Sequence, residues 1–197
     1  MKLSRALVAV VVVGSMCGPR AARAEGFEGA WGEGGRNMLG VAGFMSRVLA
    51  AGSTSVRDDN AGWAPGVLAS YGYAATSWFM PEWEAFLAVG RFTDHRFTAG
   101  GALVGATFLY PSASRVIPFA GLRLGIGRLE ARNKDGGNPT ETTFVIAPKI
   151  GILVRLAEQI ALQVSVEYRG NYLFDLGGYD YGHRHLIGVP IGIAFAF

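Results

Sequence analysis

The side chains best suited to catalysis lie near the carboxyl terminus. His183 and His185 follow closely after Asp180, and a histidine oriented by a carboxylate is the general base that activates a serine for acyl transfer. No serine stands at a spacing that would complete such a triad. We therefore predict no catalytic residue, and an acyl hydrolase or acyltransferase remains the alternative.

Two acidic stretches contain oxygen ligands of the kind that bind Ca²⁺, namely 58–60 (Asp-Asp-Asn) and 133–138 (Asn-Lys-Asp-Gly-Gly-Asn). Neither has the spacing or the closing Glu of an EF-hand loop, and the second contains a repelling lysine. Both compositions are typical of ordinary turns. The glycines at 121, 125 and 127 are not followed by a helix, so they do not form a phosphate loop. We predict no metal and no cofactor.

Four charged side chains stand within otherwise apolar, strand-like segments: Arg123, Lys149, Glu167 and Arg169. Alternation places them on the face opposite the aliphatic residues, where charges need partners. We expect an ion-pair cluster that fills the interior, with a narrow conduction pathway as the alternative. A turn centred near Ala157 would set Lys149 opposite Ser165 and diagonal to Glu167, within reach of an ion pair that an arginine could share.

The first residues predict export. Lys2 and Arg5 precede a short apolar run, and Ala22-Arg23-Ala24 is an A-x-A cleavage site, so we expect a Sec-type signal peptide over 1–24. That segment holds four basic residues and no acidic ones. The remaining 25–197 has 14 basic and 15 acidic residues, a net charge of −1, so the basic pI is no evidence for nucleic-acid binding. Cys17, the single cysteine, lies in a poor lipobox, which disfavours a lipoprotein.

Residues 25–197 have the length of one domain. They contain no run of 18 apolar residues but about eight segments with strand character. These segments are 36–46, 66–74, 83–92, 97–109, 117–129, 143–155, 159–170 and 184–197. Each is close to or above the ~9–11 residues that a tilted strand needs to cross a bilayer. The fold class predicted is all-β, an antiparallel up-and-down transmembrane barrel of eight strands.

Alternation is clearest in the later segments. Positions 160 to 168 in steps of two are aliphatic or aromatic, whereas 161 to 169 are small or polar, and 117–129 and 184–197 alternate in the same way. A lipid-facing exterior and a filled, narrow interior require this pattern. The first and fourth segments have small residues on both sides, so their inward faces stay unassigned. Pro148 and Pro190 remove ladder donors and imply bulges, gaps in pairing or misplaced boundaries.

Connections and aromatic residues suggest an orientation. A tight turn at 156–158 is expected on the periplasmic side, and long loops at 47–62, 130–141 and 171–182 on the extracellular side. Trp78, Phe79 and Trp83 would mark the periplasmic interface, and Tyr168 and Tyr172 the outer one.

The carboxyl terminus resembles the terminal signal of outer-membrane barrels, with Gly192, Phe195 and a final aromatic Phe197, although Pro190 replaces the usual polar residue. Residues 144–169 resemble the closing hairpins of the OmpA/OmpX-like eight-stranded family. The resemblance covers the last third of the chain by motif and the rest by strand count. It implies an outer-membrane barrel recognised by the barrel-assembly machinery, and it fixes no single activity.

The function expected is non-enzymatic: a structural or surface-interaction barrel of the bacterial outer membrane, with loops available for adhesion or ligand contact. The alternatives are the lipid A-modifying enzyme and a channel or carrier for small apolar molecules. The expected partners are outer-membrane lipid, lipopolysaccharide and the assembly machinery. The sequence identifies no surface partner, and nucleic acid is not expected.

Overall fold

The computed structural model describes residues 34–51, 62–92, 95–110, 115–132, 140–173 and 183–197. Its strands are β1 (Arg36–Ala51), β2 (Trp63–Ala74), β3 (Phe79–Phe92), β4 (His95–Leu109), β5 (Val116–Arg132), β6 (Thr140–Arg155), β7 (Ile160–Leu173) and β8 (His183–Ala196). Within these ranges, no helix has the length and apolarity needed to span a membrane. The predicted signal peptide over 1–24 lies outside the described residues.

Each strand pairs antiparallel with the next, and β1 pairs with β8 to close a barrel. Asn37 and Phe197 exchange two backbone hydrogen bonds of 2.9 Å at the closing seam. The predicted eight-stranded, all-antiparallel barrel is confirmed. Several strands run past their predicted ends, β1 to Ala51 and β6 from Thr140, because ladder pairing continues into the stems of the expected loops.

The two ends of the barrel are distinguished by the pairs of strands that each end connects. We call the end that joins β1 to β2, β3 to β4, β5 to β6 and β7 to β8 the upper end, and the end that holds Arg36 and Phe197 the lower end. The lower turn between β6 and β7 spans 156–159, with backbone bonds from Leu156 and Ala157 to the Ile160 carbonyl. That turn is one residue longer than the predicted three-residue turn.

The inward and outward faces follow the predicted alternation in β5, β7 and β8. The sequence did not assign the inward faces of β1 and β4. The larger side chains of these strands show which face is inward. Phe44 and Val48 of β1 and Phe97 and Leu103 of β4 are buried inside. Met38 and Leu109 are also buried inside, and small side chains occupy most of the remaining inward positions, because eight strands enclose a space that side chains just fill.

The interior has two apolar layers. The upper layer surrounds Phe44, Phe86 and Phe97, and the lower layer surrounds Met80, Ile117 and Phe119. Polar and charged side chains are buried between them. Outside, aliphatic side chains form a band from strand to strand, with exposed fractions such as 65% for Ile150 and 63% for Ile126. In water such a surface would be strongly unfavourable, whereas lipid solvates it.

Aromatic side chains gather at the lower edge of this band. The rings of Trp78, Phe79 and Phe108 lie within 6.2 Å of one another, centroid to centroid. Trp83 packs on Tyr71 at 6.0 Å, and the Tyr71 hydroxyl donates to the Asn37 side-chain oxygen at 2.6 Å. The structure therefore places the three predicted lower aromatics on the outward side near that end.

The prolines interrupt pairing without shifting the register. Pro148 pairs with β5 but has no partner on β7, and Pro190 pairs with β1 but has none on β7. On both sides of each interruption the ladder keeps the same alignment. Of the predicted possibilities, the structure therefore shows local gaps rather than bulges.

Candidate functional site

Six charged side chains meet in the middle of the barrel interior. Three are acidic and three are basic, so the group is electrically neutral, and each is no more than 5% exposed. They come from β3 (Glu82 and Glu84), β5 (Arg123), β6 (Lys149) and β7 (Glu167 and Arg169). We call this group the ion-pair layer. Strands β3 and β7 lie on opposite walls, so the layer spans the lumen.

Four of the six form a closed ring. Nη2 of Arg123 donates to Oε2 of Glu167 at 2.6 Å, and Nη2 of Arg169 donates to Oε1 of Glu84 at 2.8 Å. Arg123 also contacts Glu84, and Nε of Arg169 donates to Glu167. Each carboxylate thus bridges both guanidinium groups. The ring cross-links opposite walls through charge-assisted bonds, which are stronger than bonds between neutral groups.

The other two members form a pair at the edge of the ring. Nζ of Lys149 donates to Oε1 of Glu82, and the Thr107 hydroxyl donates to Oε2 of the same carboxylate at 2.9 Å. Nη1 of Arg123 lies 3.5 Å from Oε1 of Glu82 and joins the pair to the ring. Both oxygens of Glu82 therefore have a donor, as a buried carboxylate requires.

Aromatic rings cover the ion-pair layer on both sides. Cζ of Arg169 lies 4.2 Å from the ring centre of Phe86 and 4.8 Å from that of Phe44, both in the upper apolar layer. Nζ of Lys149 lies 5.6 Å from the ring centre of Phe119, in the lower layer. These cation–π contacts are strengthened because the cations are shielded from water.

Below the layer, a small cavity of about 20 Å³ is bordered by Glu82, Lys149, Ser70, Thr107 and Gln163. That volume holds about one water molecule. It is far smaller than the several hundred Å³ of a ligand pocket. The chemistry that the arrangement supports is electrostatic cross-linking of the walls.

The structure brings together the four charged residues that the sequence singled out, but the pairing expected between two of them is wrong. Lys149 stands directly opposite Glu167 in the β6–β7 ladder, and Gly151 rather than Lys149 faces Ser165. The register is shifted by two because Arg155 pairs with Ala161, which leaves five residues between these paired positions instead of the three expected. The Lys149 ammonium binds Glu82 of β3, while the Glu167 carboxylate binds the two arginines.

Sequence reasoning missed Glu82 and Glu84. A signal for them existed, because three inward cations against one inward carboxylate leave two positive charges without partners, which a dry interior would not tolerate. The acids alternate with Trp83 and Ala85 in the pattern of inward positions. Placing the start of the third segment at residue 83 excluded the first of them.

The other sequence candidates lie apart from the layer. His185 faces outward near the upper end, where its Nδ1 hydrogen-bonds the Tyr168 hydroxyl. Its ring stacks on Tyr168 at 5.5 Å and meets Tyr172 edge-on at 5.8 Å. The His183 side chain, Asp180 and both acidic stretches at 58–60 and 133–138 lie outside the described residues.

The residues of the terminal signal lie on the closing strand. Phe195 and Phe197 are exposed on the outward face at the lower end. Gly192 stands opposite Ala42 of β1, and a Cβ added to it would lie 2.1 Å from the Val41 carbonyl oxygen. Only glycine allows the two strands to approach this closely. The packing of β1 against β8 therefore accounts for a glycine at position 192, independently of the predicted assembly signal.

The sequence matches no family model, and no curated protein matches it. Solved structures do match. Neisserial surface protein A has a TM-score of 0.60 at 14% identity, covering 83% of this chain and 99% of that one. Ail, the attachment invasion locus protein of Yersinia pestis, has a TM-score of 0.55 at 14% identity with the same coverage.

The outer membrane protein OprG from Pseudomonas aeruginosa has a TM-score of 0.52 at 10% identity, covering 85% of this chain and 99% of that one. At these identities the likeness shows the fold. The closed ring of eight antiparallel strands, with an aliphatic exterior and a filled interior, is the fold of the small transmembrane β-barrels found in bacterial outer membranes.

Proposed function

We propose that this protein is a non-enzymatic integral protein of the bacterial outer membrane, whose barrel is a closed scaffold that holds surface loops for adhesion or ligand contact. The observation that carries the proposal is the ion-pair layer. It occupies the middle of the lumen with six mutually compensating charges. A barrel filled in this way acts through its outer surfaces.

The filled lumen argues against conduction. An ion would have to displace the ring formed by Glu84, Arg123, Glu167 and Arg169, and the rings of Phe86 and Phe119 cover the layer above and below. Breaking one buried pair typically costs about 3–5 kcal/mol. A permanently open path is therefore not expected, and neither a channel nor a carrier follows from this interior.

The outer-membrane location is supported by the exterior. The aliphatic band, the lower aromatic group and the closed ladder satisfy the requirements of a lipid environment. A cleavable signal peptide over 1–24, insertion by the barrel-assembly machinery through Gly192, Phe195 and Phe197, and contact with lipopolysaccharide complete the proposal. The long connections at the upper end would face the cell surface.

The proposal is tested in three arms on cells expressing the full chain. Membrane fractionation and protease treatment of intact cells should show an outer-membrane protein cleaved in its upper loops. The purified barrel should give no stable conductance steps in planar bilayers. Lipid A mass spectra should be identical with and without the protein. A soluble periplasmic protein, a stable pore or a changed lipid A mass would each overturn the corresponding part.

Loop function needs its own comparison. Cells carrying the wild-type protein should bind surface ligands or host matrix proteins better than cells carrying a variant with shortened β1–β2, β5–β6 and β7–β8 connections. A variant with a changed 156–159 turn, at the lower end, is the matched control. Equal binding by all three strains would refute the surface-interaction role.

A further inference from the structure

The inward face of β2 carries a single polar side chain. Its inward residues are Ala64, Gly66, Leu68, Ser70, Gly72 and Ala74. The ion-pair layer takes its charges from β3, β5, β6 and β7, so β2 contributes none of them. Among the described ladders, the one between β2 and β3 is also the shortest. A polar link from Ser70 to another strand would therefore strengthen the least-paired part of the wall.

Ser70 meets Gln163 of β7 at the small cavity below the ion-pair layer. Both side chains point into the barrel and border this cavity, and both are half-buried rather than buried. A Cβ added to Gly40 would lie 2.6 Å from Oγ of Ser70 and 3.7 Å from Oε1 of Gln163. The two oxygens therefore face the same space beside this glycine.

The polar groups around this space are only partly satisfied. Neither Ser70 nor Gln163 has a side-chain hydrogen bond to any other described residue. Lys149 also borders the cavity, and its ammonium group has three N–H donors. One of these donors is bonded to Glu82, and no second hydrogen bond of Lys149 is formed within the described strands. The cavity thus combines two available acceptors with an available donor, and leaving such groups unbonded is costly.

A water molecule fits both the size and the bonding pattern of the cavity. The volume of about 20 Å³ admits one water. Buried waters make about three hydrogen bonds. A water here would accept one bond from Nζ of Lys149 and donate to Oγ of Ser70 and Oε1 of Gln163. The adjacent ammonium disfavours a metal cation, and the adjacent carboxylate of Glu82 disfavours an anion.

We propose that this cavity is a binding site for one internal water molecule, which joins β2 to β6 and β7 across the lumen. The inference goes beyond the proposed surface function, because it concerns the lumen and holds whichever ligand the loops contact. The water lies below the ring of Glu84, Arg123, Glu167 and Arg169, so it leaves that ring dry and the lumen closed.

Methionine methyl groups provide the test, because they lie on both sides of the wall. Met38 and Met80 border the cavity, whereas Met45 is 49% exposed on the outward face. The full barrel is isotope-labelled at its methionine methyl groups, purified in deuterated detergent and examined by NMR for cross-relaxation between water and these groups. Cross-peaks from a long-lived water should be present at Met38 and Met80 and absent at Met45.

Ser70→Ala combined with Gln163→Leu removes both acceptors, so the cross-peaks at Met38 and Met80 should be lost. Ser46→Ala is the matched control, because Ser46 is also an inward serine but does not border the cavity. It should leave both cross-peaks unchanged.

The link between the walls is tested by amide hydrogen exchange in the same variants. In the double variant, the β2 amides from Gly66 to Gly72 should exchange roughly twofold to tenfold faster, the range expected for the net loss of one hydrogen bond. The amides of the β4–β5 ladder should keep their rates. If the double variant does not fold, a crystal structure of the wild type should show an ordered water within hydrogen-bond distance of Ser70 and Gln163.

A wild type without water cross-peaks at Met38 and Met80, or without an ordered water between Ser70 and Gln163, would overturn the site. Cross-peaks that persist in the double variant would show that other groups hold the water. Methyl shifts that change when sodium chloride replaces choline chloride at equal ionic strength would assign the cavity to a metal cation instead. Unchanged β2 exchange in the double variant would refute the link between the walls.

Discussion

The pair between Lys149 and Glu82 offers the sharpest test of the ion-pair layer. Glu82→Gln would leave three cations facing two carboxylates, and Lys149→Met would leave two cations facing three. Each variant exposes one buried charge without its partner, so each should lower the free energy of unfolding by about 3–5 kcal/mol. The double variant restores neutrality, and Met fills much of the space of the lysine stem.

The double-mutant cycle should therefore give a coupling energy of about 2–3 kcal/mol between the two residues. The measurement is equilibrium unfolding by urea in detergent micelles, followed by tryptophan fluorescence. The matched cycle pairs Lys149→Met with Glu167→Gln. Glu167 is the direct ladder neighbour of Lys149, but its carboxylate binds Arg123 and Arg169.

Coupling in this second cycle should be less than half as large, because the charges interact there without a direct bond. If the two cycles give equal coupling, Lys149 does not interact more strongly with Glu82 of β3 than with Glu167 of β7. If both singles are as stable as the wild type, the interior is hydrated rather than dry, and the argument for a closed lumen fails with it.

Three further outcomes follow from the barrel. The wild type should resist unfolding in SDS until heated, since no strand pair can open alone, and identical mobility before and after boiling would contradict closure. Removal of Phe197 should lower the outer-membrane amount while export continues, and an unchanged amount would show that the terminal resemblance is accidental. Gly192→Val should destabilise the β1–β8 seam by about 1–3 kcal/mol, whereas Gly43→Val, at an outward site with no heavy atom within 4 Å, should be neutral; equal effects would refute the close-approach argument.

The number of strands and the inward face of each strand could be predicted from the sequence where the two faces carry different types of side chain. In β7 large apolar or aromatic residues alternate with small or polar residues from Ile160 to Arg169, so the period alone assigns the interior. In β4 glycine and alanine occupy both faces, and only the positions of Phe97 and Leu103 in the closed barrel show which side is inward. Small side chains carry little information about direction, because they fit either environment.

The sequence predicted which charged side chains point into the barrel, but it did not predict which of them form ion pairs with each other. Five residues rather than the expected three separate the paired positions Arg155 and Ala161, so the β6–β7 register moved by two and Lys149 stands against Glu167. Even the correct register would not have identified the bond to Glu82, because β3 and β6 are not neighbours in the sheet. Contacts across the lumen depend on the shape of the closed barrel, which no local pattern contains.

The positions of the prolines become informative when they are compared with the strands that carry the ion-pair layer. The β2–β3 ladder runs from Gly66 to Gly72, and it stops next to Pro65 at one end and Pro81 at the other. β7 loses pairing on both of its sides, beside Pro148 on β6 and Pro190 on β8. The four prolines therefore thin the backbone pairing of two strands, β3 and β7.

These same two strands are the opposite walls that the ring connects, since Glu84 of β3 and Glu167 of β7 each bind Arg123 and Arg169. A missing ladder bond weakens a wall by roughly 0.5–1.5 kcal/mol, and a buried charge-assisted bond contributes more than a neutral one. On β7 the pairing gaps flank Glu167, whereas Glu82 and Glu84 of β3 stand within the paired segment of the β2–β3 ladder. The ion-pair layer therefore adds bonds across the lumen directly beside the interrupted ladders of β7.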